Sequence, residues 1–353
     1  MREASCGPLP SPPNVALMYR GLLLCLALLL SACGPDGGRE PFVESRTPAA
    51  ISIRFLPPEG WAWGLVKAGD YPAQRYGVSA PSTGPLAHIV ILPGYGESAE
   101  AWFETASDLN AKSYTVWVLE GAGQGGSGRF TAVRDVGHIP DMQPDLLGVK
   151  ALLRAVIPDD GKPVILIGSR SGAAVAVLAA KAGYGGDALL LLSPWKPAGA
   201  GPHDALLSRI GLGGFREPWA GGWTPNASAP ATGDSYRAGV ERLWQTVNPD
   251  LRMGAPSVGG RLALAKGWEE ARIALASVGQ PVVAISAPQA VIEACRRAPD
   301  CIADPSRGSA KGPYLHLEND FVRDGWLSSV DGIVQKRRAA RLAAQGLAPD
   351  HRL

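Results

Sequence analysis

The sequence contains few charged side chains and no strong excess of either sign. Charged residues make up 19% of the 353 residues, and the formal net charge at pH 7 is +2. No long block of lysine and arginine breaks this balance. Because attraction to a polyanion requires a dense basic surface, we expect no nucleic-acid partner.

Histidine is also scarce. The five histidines are spread along the chain, at His88, His138, His203, His316 and His351. A histidine-based metal centre needs ligands at short, characteristic spacings, and this distribution does not provide them. We therefore expect no metal site, and no sequence motif indicates a cofactor.

Long apolar runs are missing as well. The run near the N-terminus, Leu22–Leu30, has nine residues, whereas a membrane-spanning helix needs roughly 20. Arg20 precedes it, and the Leu-Ser-Ala-Cys sequence that ends at Cys33 follows the pattern of a lipobox. These features predict a lipoprotein signal peptide at residues 1–32 and lipidation of Cys33. An ordinary secretory signal with a chance cysteine remains the alternative.

The residues around the predicted signal add two expectations. Residues before Met18 are polar and Pro-rich, so Met18, rather than Met1, is the expected native start. Residues 33–50 are rich in proline and glycine, which is typical of a flexible tether. We expect a lipid-anchored protein of the bacterial envelope, on the periplasmic face, and Gly34 after the lipidated cysteine favours the outer membrane.

Cysteine is rare, and its positions limit the possible pairings. Of the five cysteines, Cys6 and Cys25 would leave with the signal and Cys33 would carry the lipid. Cys295 and Cys301 remain, six positions apart, in an oxidising compartment. We predict a disulfide between them, with two free buried thiols as the alternative.

Apolar runs and helical segments alternate from residue 51 onwards. Buried strands are predicted at Ile51–Leu56, His88–Leu92, Thr115–Leu119, Val164–Ile167, Ala188–Leu192 and Val282–Ser286. Helices are predicted at Ser98–Leu109, Asp141–Val156 and Gly172–Ala182. This alternation predicts an α/β fold with a doubly wound, mostly parallel sheet.

The alternation stops in one internal segment. Residues 194–279 mix proline, glycine and tryptophan with amphipathic pieces, and we predict a helical cap inserted between the two parts of the core, 51–193 and 280–353. A cap at this position would cover the C-terminal edge of the sheet, where open α/β folds bind ligands.

The most informative stretch runs from Lys162 to Gly183. An apolar strand ends in Gly168-Ser169-Arg170-Ser171-Gly172, and a helical segment follows directly. A strand that turns sharply into a helix through G-x-S-x-G is a nucleophile elbow, with the serine on the strained turn. Here arginine is the central residue.

Several segments resemble one known group in the same order. VILPGYGESAEAW, with Gly94 and Tyr95, is similar to an oxyanion loop, and VLEGAGQGGSGRF to the turn that follows the next strand. SYRAGVERLWQTVNPDLRMGAPSVG is similar to the group's cap, and LENDFVRD to its closing helix. The chain thus resembles the α/β-hydrolase superfamily, in particular its bacterial lysophospholipase, monoacylglycerol lipase and serine aminopeptidase group.

The resemblance implies a Ser-His-acid triad, and all three positions are substituted. They fall on Arg170, near Ala290 and near Pro313. If the elbow slides by one residue, Ser171 and His316 become a displaced nucleophile and base. The acid would then be Glu318, Glu293 or Asp300.

Two functions follow from these alternatives. One is an ester hydrolase acting on lysophospholipids or monoacylglycerols through Ser171 and His316. The other is a protein that binds an acyl or anionic lipid-like ligand with little or no hydrolysis. In the second, Arg170 would meet the amides of Tyr95 and Ser171 at the start of a helix and bind an anion.

Arg170 also needs a partner in either case. Burial of an unpaired guanidinium is costly. We expect it to contact a carboxylate of the protein, Glu97 or Glu120, or an anionic group of the ligand.

Overall fold

A computed structural model describes residues 38–194, 197, 199–226, 229–305 and 310–344. Its centre is one eight-stranded sheet in the order β1-β2-β4-β3-β5-β6-β7-β8. The strands are β1 Ala62–Val66, β2 Gln74–Ser79, β3 Ala87–Leu92, β4 Tyr114–Leu119, β5 Val164–Ser169, β6 Ala188–Leu192, β7 Val282–Ile285 and β8 Cys301–Asp304. Strand β2 is antiparallel to both of its neighbours, β1 and β4, and the other neighbouring strands are parallel. The predicted α/β architecture with a mostly parallel sheet is confirmed.

Helices cover both faces of this sheet. They are α1 Phe103–Ala111, α2 Gln143–Ala151, α3 Gly172–Lys181, α4 Pro202–Arg209, α5 Ser235–Val247, α6 Val258–Leu275, α7 Gln289–Cys295 and α8 Asp320–Ala344. Helices α2, α3, α6 and α7 share one apolar core with alternate strand residues such as Val90 and Leu92. Helices α1 and α8 pack on the other face, against Ile89 and Ile91. Successive residues of β3 therefore point to opposite faces of the sheet and pack against the two helix layers in turn.

One strand prediction is wrong, and three strands, β1, β2 and β8, were missed. Residues predicted as a strand at 51–56 contain instead a short 3₁₀ helix, Ile53–Phe55. Phe55 is buried there against Phe103 and Trp244, so a single apolar anchor, and not sheet pairing, fixes this segment. Strands β1 and β2 form the antiparallel edge of the sheet, and β1 is half exposed, so its residues lack the continuous apolar run of a central strand.

The segment predicted as a cap divides into two parts. Helix α6 packs on α3 and belongs to the main core, as the crossover between β6 and β7. Helix α4 packs on α6. Helix α5 lies over the C-terminal edge of the sheet, where it shares a cavity with Arg170 and Glu97. Trp244 of α5 packs with Phe103 of α1, which joins the cap to the core.

The predicted disulfide between Cys295 and Cys301 is confirmed. It joins the end of α7 to the start of β8, and closure of so short a loop contributes about 2 kcal/mol on loop-entropy grounds. The predicted signal peptide and Cys33 lie outside the described residues. Among the described residues, no helix is long and apolar enough to cross a membrane.

Candidate ligand-binding site

The turn between β5 and α3 has the geometry of a nucleophile elbow. Arg170 has a φ of 50°, in the left-handed region, whereas Ser171 has a φ of −68° and leads directly into the helix. Positive φ in a residue with a side chain is strained and is kept where the surrounding structure enforces it. The elbow is therefore not slid by one residue, and Arg170 occupies its tip.

The glycines on either side of the turn allow close packing. A Cβ atom at Gly172 would lie 2.0 Å from the carbonyl oxygen of Leu92, and one at Gly168 would lie 2.5 Å from the Cα of Ala173. The backbone of α3 thus approaches the end of β3 as closely as the fold permits. Gly168 and Gly172 therefore allow this close packing even though the residue midway between them is Arg170.

Arg170 is buried and contacts a carboxylate of the protein. Its Nη1 donates to the carbonyl of Tyr95 at 3.2 Å and lies 3.3 Å from Oε1 of Glu97. Its Cζ lies 4.3 Å from the ring centroid of Tyr314, a cation–π contact. Of the two candidate partners, Glu97 is the one that the structure places beside Arg170.

Glu97 is fixed by further hydrogen bonds. Its Oε2 accepts from the amide of Gly94 at 3.0 Å and its Oε1 from the hydroxyl of Ser169 at 3.2 Å. Glu120 instead forms an ion pair with Arg75, whose Nε lies 2.7 Å from Oε2 of Glu120. Glu97 therefore links the loop after β3 to the elbow.

The amides of the loop after β3 are already satisfied. The amide of Tyr95 donates to Oγ of Ser171 at 2.7 Å, and the amide of Gly94 donates to Glu97. The expectation that the Tyr95 amide and Arg170 converge on one anion is therefore wrong for this conformation. The hydroxyl of Ser171 instead accepts the hydrogen bond of the Tyr95 amide.

Ser171 and His316 line different cavities. Ser171 borders a small cavity of about 30 Å³ behind the elbow, together with Asp145. His316 borders a second cavity beneath the cap, together with Arg170. The ring of His316 stacks on Trp102, with centroids 3.9 Å apart and planes 14° apart. No hydrogen bond joins the two residues in the described part of the chain, so the structure does not assemble the displaced pair.

The candidate acids do not approach Ser171 either. Glu318 accepts from the amides of Lys311 and Gly312 at 2.7 and 2.9 Å. Glu293 is exposed on α7, where it accepts from Gln289. Asp300 precedes β8 and therefore lies at the N-terminal edge of the parallel sheet, whereas the elbow lies at the C-terminal edge.

The cavity beneath the cap has a volume of about 310 Å³, at the lower end of the range for small-molecule sites. The core contributes Glu97, Arg170, Tyr314 and His316 to its wall. The cap contributes apolar and polar side chains, among them Trp223, Glu241, Gln245 and Met253. The cavity is therefore enclosed between the elbow and α5.

Glu241 was not predicted, because one acidic residue in an amphipathic helix gives no signal in the sequence. It accepts from the amide of Ser98 at 3.2 Å and from Nε2 of Gln245 at 2.9 Å. Burial, followed by the charges of Glu100 and Glu97, raises its pKa well above the usual range. The cavity therefore favours the neutral form of this carboxyl group.

One cluster of potential metal ligands occurs among the described residues, at His203, Asp204 and Glu217 in the cap. Arg261 forms ion pairs with both carboxylates of this cluster. A cation of the protein thus neutralises the two acids already, and the cluster is explained as an ion-pair network.

Comparison with known proteins identifies the same fold. The serine aminopeptidase family model matches residues 83–210. A monoglyceride lipase from Saccharomyces cerevisiae, solved with a substrate analog, aligns over 83% of this chain and 99% of its own, with 14% identity and a TM-score of 0.59.

Two further structures align in the same way. A carboxyl esterase from Bacillus coagulans covers 78% of this chain and 99% of its own, with 16% identity and a TM-score of 0.55. A monoacylglycerol lipase from Paleococcus ferrophilus covers 73% of this chain and 97% of its own, with 13% identity and a TM-score of 0.53. No curated protein matches the sequence. The chain therefore has the α/β-hydrolase fold and is similar to the serine aminopeptidase and monoacylglycerol lipase group.

Proposed function

We propose that this protein binds a monoacyl lipid in the cavity beneath its cap and does not hydrolyse it. One observation carries the proposal. The elbow tip, where a hydrolase of this fold holds its nucleophile, is Arg170, which is paired with Glu97. The cavity that this elbow faces is nevertheless retained.

The chemistry of the elbow supports the absence of hydrolysis. A guanidinium group is permanently protonated and has no lone pair with which to attack a carbonyl carbon. The remaining hydroxyl, that of Ser171, accepts from the Tyr95 amide, and no hydrogen bond connects it to a base within the described residues. Loss of a triad serine or histidine lowers the rate by about a million-fold.

The charge distribution favours an uncharged ligand over an anionic one. Arg170 and Glu97 form a neutral pair, so a carboxylate or phosphate would have to displace Glu97 to reach the guanidinium. An ester or a hydroxyl group can bind without displacing Glu97. We therefore propose a neutral acyl ligand, such as a monoacylglycerol.

The name of the yeast relative is consistent with this ligand class, since that protein is a monoglyceride lipase solved with a substrate analog. The alternative function is an active ester hydrolase that uses Ser171 and His316. It requires the Tyr95 amide to release Ser171, and it requires His316 to leave its stack on Trp102.

Wild-type protein and Arg170→Ser should both bind monodecanoylglycerol and should both leave it intact. In the variant, no histidine is hydrogen-bonded into a triad: His316 is stacked on Trp102 with both ring nitrogens unbonded among the described residues, and the acid position implied by the resemblance falls near Ala290. Binding is measured by native mass spectrometry and hydrolysis by release of decanoate. Turnover above background in either protein, or labelling of Ser171 by a fluorophosphonate, would refute the non-catalytic function and support the hydrolase.

The lipobox supports a further part of the proposal, that the protein is anchored on the periplasmic face of a bacterial membrane through lipidated Cys33. The anchor would keep the cap cavity within a tether length of its lipid ligands. The intact mass of membrane-extracted protein should then correspond to a chain that begins at diacylated Cys33. A soluble mature form with unmodified Cys33 would contradict this assignment.

A further inference from the structure

The ring of His316 is buried without hydrogen bonds. His316 lies in the 3₁₀ helix Leu315–Leu317 that precedes α8, and it is 1% exposed. Neither Nδ1 nor Nε2 has a hydrogen-bond partner in the described part of the chain. Buried polar atoms are almost always bonded, so each exception calls for an explanation. The stack on Trp102 fixes the plane of the ring, so the ring cannot turn toward other hydrogen-bond partners.

Three other polar side chains of the same cavity, Glu97, Glu241 and Gln245, have hydrogen-bond or ion-pair partners inside the protein. Glu97 contacts Arg170. Glu241 accepts from Gln245, whose own Oε1 accepts from Nε1 of Trp223 at 2.6 Å. His316 differs from these residues, because its hydrogen-bonding capacity is unused although it borders the cavity.

The environment of the ring favours its neutral form. Burial, followed by the charges of Arg323 and Arg170, lowers the pKa of His316 well below its usual value. A neutral imidazole carries one N–H donor and one acceptor nitrogen. A carboxylate could satisfy only the donor, whereas a hydroxyl group can donate or accept. A ligand with free hydroxyl groups therefore matches this ring best.

Tyr314 lines the cavity next to the ring of His316. It contacts His316 edge to face, with centroids 6.3 Å apart, and it lies against the guanidinium of Arg170. Its phenol makes no hydrogen bond within the described residues, so its rotation would break these two ring contacts but no hydrogen bond. A rotation of this side chain would expose the His316 ring to a ligand.

We propose that His316 is the residue that binds a free hydroxyl group of the ligand, after Tyr314 moves aside. The inference rests on the proposed function and makes it more specific: the ligand is an uncharged acyl ester with at least one free hydroxyl. His316 acts here as a hydrogen-bonding residue and not as a base.

The test compares two ligands that share one acyl chain, monodecanoylglycerol and methyl decanoate. Wild-type protein should bind monodecanoylglycerol about tenfold more tightly, the effect of one ordinary hydrogen bond. His316→Phe keeps the stack on Trp102 and should bind both ligands with the affinity of methyl decanoate. His316→Gln, which restores a donor and an acceptor, should recover part of the preference.

His203→Phe is the matched control, because His203 lies exposed in the cap outside this cavity and its replacement should leave both affinities unchanged. The thermal midpoint of each variant is recorded, and His316→Phe should be at least as stable as wild type since it removes two unbonded nitrogens. If His316→Phe fails to fold, the ligand preferences of wild type and of His316→Gln still show whether His316 binds the hydroxyl group.

The outcomes separate the inference from the proposed function. Equal affinity of wild type for the two ligands, or an unchanged preference in a folded His316→Phe, would overturn the role of His316 and leave acyl binding in place. If wild type binds neither ligand, the proposed function itself is wrong.

Discussion

Glu97→Ala is expected to lower the free energy of unfolding by about 3–5 kcal/mol, the usual cost of leaving a buried charge without its partner. Arg170 is held at the elbow tip by a strained backbone and cannot simply move to solvent. The variant also removes the acceptor of the Gly94 amide and of the Ser169 hydroxyl. Urea denaturation followed by circular dichroism measures the loss.

A paired replacement distinguishes charge burial from packing. Glu97→Leu combined with Arg170→Met removes both charges, and we expect it to be more stable than Glu97→Ala, because apolar pairs often replace buried ion pairs without loss. It should remain about 1–3 kcal/mol below wild type, because the Gly94 amide still loses its acceptor. Glu293→Ala is the control, since Glu293 is exposed on α7. A loss below about 1 kcal/mol for Glu97→Ala would mean that Arg170 is stabilised mainly by its other contacts.

The fold was predictable where burial is complete. Strands β3 to β6 are buried along nearly their whole length and appear as continuous apolar runs, so their sequence pattern specifies them. The edge strand β1 is half exposed and contains Trp63 and Gly64, which give no such pattern. Residues 51–56 have an apolar pattern for another reason, since Phe55 alone is buried in a small cluster with the cap.

Only the part of the site that is formed by consecutive residues was predictable from the sequence. The glycine spacing placed Arg170 at the elbow tip, because the strand, turn and helix are consecutive in the chain. The stack of His316 on Trp102 joins residues more than 200 positions apart, and no short-range pattern reports it. The choice between Glu97 and Glu120 likewise depended on Arg75, a strand residue whose partners are set by sheet register.

Together these contacts hold the elbow with arginine at its tip. In a hydrolase, the oxyanion donors must stay free for the reaction. Here the Tyr95 amide bonds Ser171 and the Gly94 amide bonds Glu97, so the loop and the turn stabilise each other. Under the proposed function, these groups serve stability, and the cavity above them binds the ligand.

Gly172→Ala is expected to destabilise the protein by at least about 3 kcal/mol, the upper part of the range for overpacking. The added Cβ would lie 2.0 Å from the carbonyl oxygen of Leu92 and 2.7 Å from that of Pro93. Backbone atoms cannot rotate away, and β3 is paired with a strand on each side. Thermal denaturation should show a lower midpoint in Gly172→Ala.

Gly325→Ala is the matched control, because Gly325 lies in α8 with no atom near the position of a Cβ. It should stabilise the protein by about 0.5–1 kcal/mol, as alanine is the better helix residue. Similar behaviour of the two variants would mean that α3 can shift away from β3. The glycine of the elbow would then be dispensable for packing, and the retained turn would need a cause other than the close contact between helix and strand.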